Sequence, residues 1–162
     1  MKRLITAAIA IATLIAAPLA AHDYKIGELV VAHPYAPTTP GRAKSAVGYM
    51  SITNNGSVAD TLIDVRTDVA NAMLHRTESG DDGIMRMPHM DDGIVVQPGE
   101  TVTMEPGGLH IMFMGLSAPF TDGEKFAGTL VFEHAGEVEV NFNIEARGSD
   151  AMDGMTHEGH GN

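Results

Sequence analysis

The sequence has 162 residues, with ten Lys plus Arg, twenty-one Asp plus Glu and a formal net charge of −11 at pH 7. A surface with this charge repels phosphate backbones, which argues against nucleic acid binding. Cysteine is absent, whereas there are eleven methionines and eight histidines. A thiolate metal site, a cysteine nucleophile and a redox disulfide are therefore excluded.

The amino-terminal segment has the pattern of a signal peptide. Lys2 and Arg3 precede an uncharged apolar run over residues 4–17, and residues 19–21 form a small-residue cleavage site. The apolar run is shorter than the roughly 20 residues that a transmembrane helix needs. We therefore predict a cleaved signal over residues 1–21, export to the periplasm and no stable membrane insertion after cleavage.

The following segment predicts β-structure. Glycine, proline, aspartate and asparagine interrupt short apolar runs throughout, and no long segment has a helical period. The predicted strands cover 29–31, 46–53, 61–65, 72–77, 83–87, 93–96, 101–104, 109–114, 126–133 and 138–144. Asn55-Gly56 predicts a tight hairpin turn, and a short helical turn fits residues 68–72. Many short strands in succession indicate a β-sandwich or Greek-key barrel.

The chain is expected to form one domain with a tail. Residues 22–146 contain all the predicted strands and are long enough to build one hydrophobic core. Residues 147–162 consist mainly of glycine, acidic residues, methionine and histidine, with almost nothing to bury. Such a composition predicts a flexible carboxy-terminal tail.

Three local patterns could bind a metal. They are His75 in one strand, Met85-Arg86-Met87 after a glycine-rich turn, and His110-Ile111-Met112 in a later strand. Residues two apart in a strand project from the same face, so His110 and Met112 can reach one ion while Ile111 and Phe113 enter the core. A hairpin through residues 80–83 would bring Met87 close to His75.

The ligand types predict the metal. Thioether sulfur is soft and neutral and favours Cu(I) over Zn²⁺, Ca²⁺ or Mg²⁺, whereas a blue-copper site needs the cysteine that this chain lacks. The residues alone leave two alternatives: a copper-dependent redox or electron-transfer protein, and a structural β-sandwich in which methionine and histidine only pack. No nucleophile–base motif indicates an enzyme.

Longer segments around these residues resemble the PCu(A)C periplasmic copper chaperones. The resemblance covers most of residues 23–146 and includes the segments 33–36, 48–56, 83–87 and 106–116, together with His75. It implies a cupredoxin-like Greek-key β-sandwich that is not an enzyme. It also implies delivery of Cu(I) to a receiving protein in cytochrome c oxidase (Cu(A)) assembly, either an oxidase subunit or another assembly chaperone.

The resemblance also implies the ligands, namely His75, Met87, His110 and Met112. Eleven residues separate His75 from Met87 and twenty-two separate Met87 from His110. Each interval is one residue longer than in the family. Met85, Met87 and Met90 therefore all remain candidates for the second ligand, and Met87 is preferred because its spacing is nearest.

The tail predicts a second copper site. Its candidate ligands, which could take Cu(II), are Met152, Met155, His157 and His160. After cleavage, His22 would place an imidazole beside a free α-amino group, which is a Cu(II) chelate in principle. The remaining histidines are interpreted as structural or surface residues: His33, His89 and His134.

Overall fold

The computed structural model describes residues 23–80 and 83–147, and the described residues form an all-β structure. The strands, in chain order, are β1 (Tyr24–Ile26), β2 (Leu29–Pro37), β3 (Ser45–Asn54), β4 (Asp60–Arg66), β5 (Asn71–Arg76), β6 (Glu78–Ser79), β7 (Met85–Arg86), β8 (Ile94–Val96), β9 (Thr101–Thr103), β10 (Leu109–Met114), β11 (Lys125–Phe132) and β12 (Gly136–Glu145). No helix in this part of the chain is long and apolar enough to cross a membrane.

Ten of the strands belong to one strongly curved sheet. Its order is β5-β10-β3-β2-β12-β11-β4-β8, while β1 pairs with β2 and β9 pairs with β3. The neighbours are antiparallel except for β2 and β12, which are parallel. The sheet curls until β4 approaches β5, so it nearly closes into a barrel. The predicted β-sandwich or barrel is confirmed.

Alternation of side chains explains why these segments are strands. In β10, Ile111 and Phe113 are fully buried, whereas Met112 between them is only partly buried and Met114 is exposed. This is the period of two that a strand with one core face requires. The predicted strand over 109–114 is confirmed residue for residue. Most other predicted strands match within one or two residues at each end, but β2 extends to Pro37, well past the predicted 29–31, and β1 and β6 were not predicted.

An aromatic cluster fixes β10 against the rest of the sheet. The ring of Phe113 packs edge-on against Phe126 and Phe142, with centroids 5.3 Å and 5.7 Å away. Gly48 on the neighbouring β3 makes room for this ring, since a Cβ there would lie 2.6 Å from Phe113. The core thus holds one face of β10 rigidly, and Met112, between Ile111 and Phe113, is presented on the other face.

Two local predictions were wrong. β3 and β4 are not paired with each other, so Asn54–Gly56 does not form a tight hairpin. Instead, the Asn54 side chain donates to the carbonyls of Val58 and Val96 and accepts from the Gly56 N–H, which stabilises a wider connection. Residues 68–70 form a bend rather than a helical turn, because β5 already begins at Asn71.

Candidate metal centre

His75 and His110 lie directly opposite each other on two paired strands. β5 and β10 are antiparallel, and His110 is the register partner of His75. Their rings stack with centroids 5.9 Å apart. His110 is only 4% exposed, and His75 is partly buried. The two histidines that are 35 positions apart in the sequence therefore form one pair on the face of the sheet.

Backbone contacts determine which nitrogen of each ring is available. His75 Nδ1 donates to the carbonyl oxygen of Met87 at 3.0 Å, and His110 Nδ1 donates to that of Gly108 at 3.1 Å. A carbonyl can only accept, so in each neutral ring Nδ1 carries the proton and Nε2 keeps the lone pair. His75 Nε2 is buried and has no hydrogen-bond partner among the described residues.

An unpartnered buried nitrogen is costly in a folded protein. The penalty is about 1–3 kcal/mol for a neutral group, so most buried polar atoms are satisfied. A neutral imidazole whose other nitrogen donates to a carbonyl is the form that binds metals, with the second contact orienting the ring. The state of His75 Nε2 therefore fits a metal ligand.

Methionine sulfur lies on the same face as the two imidazoles. Met112 follows His110 by two positions, and its register partner on β5 is Met73, which precedes His75 by two positions. Directly opposite residues of antiparallel strands share a face. Met73 was missed in the sequence analysis. Applying the two-residue rule to Met73-Leu74-His75, as was done for His110-Ile111-Met112, would have found it.

The β6–β7 hairpin supplies further methionines. Its register partners are Glu78 with Arg86 and Ser79 with Met85. Met85 and Met87 are 57% and 52% exposed, whereas Met90 packs against the hydrophobic core. The hairpin reaches the histidine pair through the contact between His75 and the Met87 carbonyl. Of the three candidates for the second ligand, Met87 is thus the one whose backbone carbonyl accepts a hydrogen bond from His75.

His89 lies closer to this face than its interpretation as a structural or surface residue suggested. It forms an antiparallel bridge with His75, and the two rings meet edge-on at 5.3 Å. Its Nε2 is 3.4 Å from the carboxylate of Asp91.

The other histidines are placed elsewhere. His33 Nε2 lies 3.1 Å from Glu145, and His134 Nδ1 lies 3.4 Å from Asp60. Both side chains are more than half exposed, in agreement with their interpretation as structural or surface residues. The candidate tail ligands and the predicted mature amino terminus lie outside the described residues: His22, Met152, Met155, His157 and His160.

The chemistry of the face is that of a soft metal site. Between residues 23 and 147, apart from the undescribed 81 and 82, no three His, Asp or Glu side chains are grouped to hold an ion. What the face does combine is two imidazoles with neutral thioethers. Imidazole accepts several transition metals, and thioether selects Cu(I) among them.

Sequence comparisons place the chain among known proteins. Residues 29–144 match the family described as "Putative lipoprotein LpqE-like". A curated relative from Leifsonia xyli subsp. xyli (strain CTCB07), "Putative lipoprotein Lxx21020", is 34% identical over 82 residues, which are 50% of this chain and 49% of the relative. The chain thus spans about half the length of the curated relative that it matches.

Solved structures of related domains have the same fold as this chain. The apo PCuAC domain from PmoF1 matches with a TM-score of 0.66 and 28% identity, covering 78% of this chain and all of that domain. The copper-bound PCuAC domain from PmoF2 matches with a TM-score of 0.66 and 30% identity, over 78% of this chain and 99% of that one. CuI-DR1885 from Deinococcus radiodurans, at 23% identity and a TM-score of 0.58, covers 80% of this chain and 84% of its own length, and supports the fold alone.

The fold is therefore that of a PCuAC domain. The chain belongs to the LpqE-like family, which is the family of the PCuAC proteins.

Proposed function

We propose that this protein is a periplasmic copper chaperone that binds Cu(I) through His75, Met87, His110 and Met112 and delivers it to a partner. The observation that carries this proposal is the cross-strand pair of His75 and His110, in which the buried Nε2 of His75 has no partner among the described residues. Met112 lies on the same face, and Met87 contacts His75 through its carbonyl.

The relatives support copper as the cargo. The PCuAC domain of PmoF2, which is 30% identical to this chain, was solved with copper bound. The ligand types here independently favour Cu(I), because two neutral thioethers and two neutral imidazoles suit a soft monovalent ion. The same neutral set suits a carrier, since ligands can be exchanged with a partner without separating charges.

The exposed hairpin supports transfer to another protein. Met85 and Met87 are both more than half exposed, so an incoming ligand could reach a metal held there. We infer that the partner is a cytochrome c oxidase subunit that receives copper for its Cu(A) centre, or another assembly chaperone. Export through the signal over residues 1–21 would place the protein in the periplasm, and the lipoprotein names of its relatives agree with the cell envelope.

The tail extends the proposal. Four soft or imidazole side chains within residues 147–162 could form a second copper site that also takes Cu(II): Met152, Met155, His157 and His160. The protein acts here as a binding module rather than an enzyme.

Anaerobic Cu(I) titration of the mature chain against a competing chelator tests the proposal. We expect tight, colourless Cu(I) binding. The double variant His75→Ala/His110→Ala should lose at least two orders of magnitude in affinity, since each lost ligand is expected to cost about tenfold or more, or about 1.4 kcal/mol. His134→Ala is the matched control, because its imidazole lies at another place in the fold.

The same preparation separates the alternative functions. An intensely coloured, redox-cycling copper centre would identify a redox or electron-transfer protein, and the absence of any bound copper would leave a structural β-sandwich. For delivery, the Cu(I)-loaded chain is mixed with the soluble Cu(A) domain of an oxidase subunit. Copper that stays on this chain at equilibrium, despite a vacant acceptor, would contradict the proposed role.

A further inference from the structure

The segment 88–90 closes the outer edge of β5. The Arg76 N–H donates to the Pro88 carbonyl at 3.2 Å, and the Met90 N–H donates to the Leu74 carbonyl at 2.9 Å. These two bonds flank the bridge between His75 and His89. The backbone therefore holds His89 beside His75, on the side away from β10.

Two of the three ring spacings suit a shared metal. The His75 ring lies 5.9 Å from that of His110 and 5.3 Å from that of His89. Imidazoles that bind one metal through nitrogens at about 2 Å have ring centroids about 5–6 Å apart. Both distances fall in that range, so His75 has an imidazole neighbour at metal-sharing distance on each side.

The contacts of His89 leave it a usable nitrogen. Its Nε2 faces the Asp91 carboxylate at 3.4 Å, which leaves Nδ1 to bind a metal when the neutral ring carries its proton on Nε2. The His89 side chain is 43% exposed and its contact with Asp91 is long. Rotation of the ring therefore breaks only a weak interaction with Asp91.

Space for that rotation is present. A groove of about 180 Å³ runs beside His89 and is also lined by Met73 and Asp91. Some rotation is required, because no three His, Asp or Glu side chains among the described residues are already arranged around one point. Because the His89 side chain is 43% exposed, a turn about its own bonds can bring Nδ1 towards the histidine pair without moving the backbone.

We propose that His89 is a third imidazole ligand that allows the same face to hold Cu(II) through His75, His89 and His110. Cu(II) prefers imidazole nitrogen, whereas the thioethers serve Cu(I). The chain would then accept copper in either oxidation state at one place, with His89 required only for the divalent ion. This inference rests on the copper site of the proposed function.

Electron paramagnetic resonance of the full mature chain with one equivalent of Cu²⁺ tests the inference. Binding by the tail or the amino terminus is removed by replacing His22, His157 and His160 with alanine in all samples. In that background, His89→Ala should weaken Cu(II) binding tenfold or more and remove one nitrogen from the superhyperfine pattern. Its Cu(I) affinity should change less than threefold.

The controls separate this inference from the proposed function. His134→Ala, in the same background, should leave the Cu(II) spectrum and affinity unchanged. If Cu(I) binds tightly and His89→Ala leaves the Cu(II) spectrum and affinity intact, His89 is not a ligand and only this inference is wrong. If neither ion binds the unsubstituted chain, the copper site itself is wrong.

Discussion

Two histidine-containing regions of this molecule differ in whether other protein groups supply hydrogen-bond partners for their buried polar atoms. Asp60 is buried, and its carboxylate accepts from the backbone N–H groups of Thr61, His134 and Ala135. On the β5–β10 face, in contrast, His75 Nε2 is buried with no partner among the described residues. In the first region, protein groups satisfy the buried carboxylate and stabilise a turn. The second region is suited to receive a ligand.

Burial and hydrogen-bond partners, rather than residue type, thus distinguish the two histidines. His134 is exposed and contributes mainly its backbone N–H to a satisfied carboxylate. His75 is orientated by a carbonyl at Nδ1, which leaves its second nitrogen for a metal. The comparison predicts that substitutions in the first region change stability, and that substitutions in the second change copper affinity.

A large effect on stability is expected at Asp60. Asp60→Ala removes the acceptor of three backbone N–H groups, and each unsatisfied group costs about 1–3 kcal/mol where it is buried. We expect the free energy of unfolding, measured by urea denaturation, to fall by about 3 kcal/mol. His134→Ala should change it by less than about 0.5 kcal/mol. Cu(I) affinity should be unchanged in both, and a tenfold loss in Asp60→Ala would contradict the separation of the two regions.

The next prediction compares alanine substitutions of two methionines, one in the core and one on the histidine face. Met104 is buried in the core, so Met104→Ala should cost about 2–5 kcal/mol of stability and leave copper affinity alone. Met112 is only partly buried on the histidine face, so Met112→Ala should weaken Cu(I) tenfold or more at a smaller cost in stability. Chelator competition and thermal unfolding measure the two quantities on the same samples. Equal copper affinity in both variants would remove Met112 from the ligand set.

The same assay decides the second ligand. Met87→Ala should weaken Cu(I) tenfold or more, while Met85→Ala should change it less than threefold. Met90 packs against the core, so its replacement should act on stability instead. A larger loss at Met85 than at Met87 would reverse the assignment.

The sequence predicted strands such as β10 well because they have one core face and a clear alternation. It also placed Ile111 and Phe113 in the core and brought Met87 towards His75, both of which the structure has. The errors were in connections between strands: Asn54 bonds to Val96, forty-two residues away, which no local pattern reveals.

The candidate site was predictable only in part, because local patterns are visible in the sequence and long-range pairings are not. His110 and Met112 follow from a local rule, whereas the pairing of His110 with His75 depends on which strands become neighbours. His89 is placed by two backbone bonds between a loop and the edge of β5. A loop residue has no alternation to indicate its direction, so the position of His89 beside His75 required the structure.

The smallest expected effect is a pH dependence of stability that arises at Asp60. Burial opposes ionisation of Asp60, but hydrogen bonds from the backbone of His134, Thr61 and Ala135 and from the His134 side chain outweigh it, so the pKa of Asp60 is lowered. A lowered pKa in the folded state means that the unfolded chain binds this proton more readily. The contribution to stability is therefore present above the unfolded pKa of about 3.9 and is lost as pH falls through the folded pKa.

Asp60→Asn isolates this contribution, because an amide does not ionise in this range and all other carboxylates are common to both chains. At neutral pH the unsubstituted protein should be the more stable, since its carboxylate accepts the three N–H groups as an anion. As the pH is lowered from neutral to about 3, the difference in the free energy of unfolding should narrow, because protonation removes the advantage of the charge. Urea denaturation of both proteins across this range measures the difference. Curves that stay parallel to the lowest pH would show that the Asp60 pKa is not lowered by folding, and the region would then be held by shape and neutral hydrogen bonds.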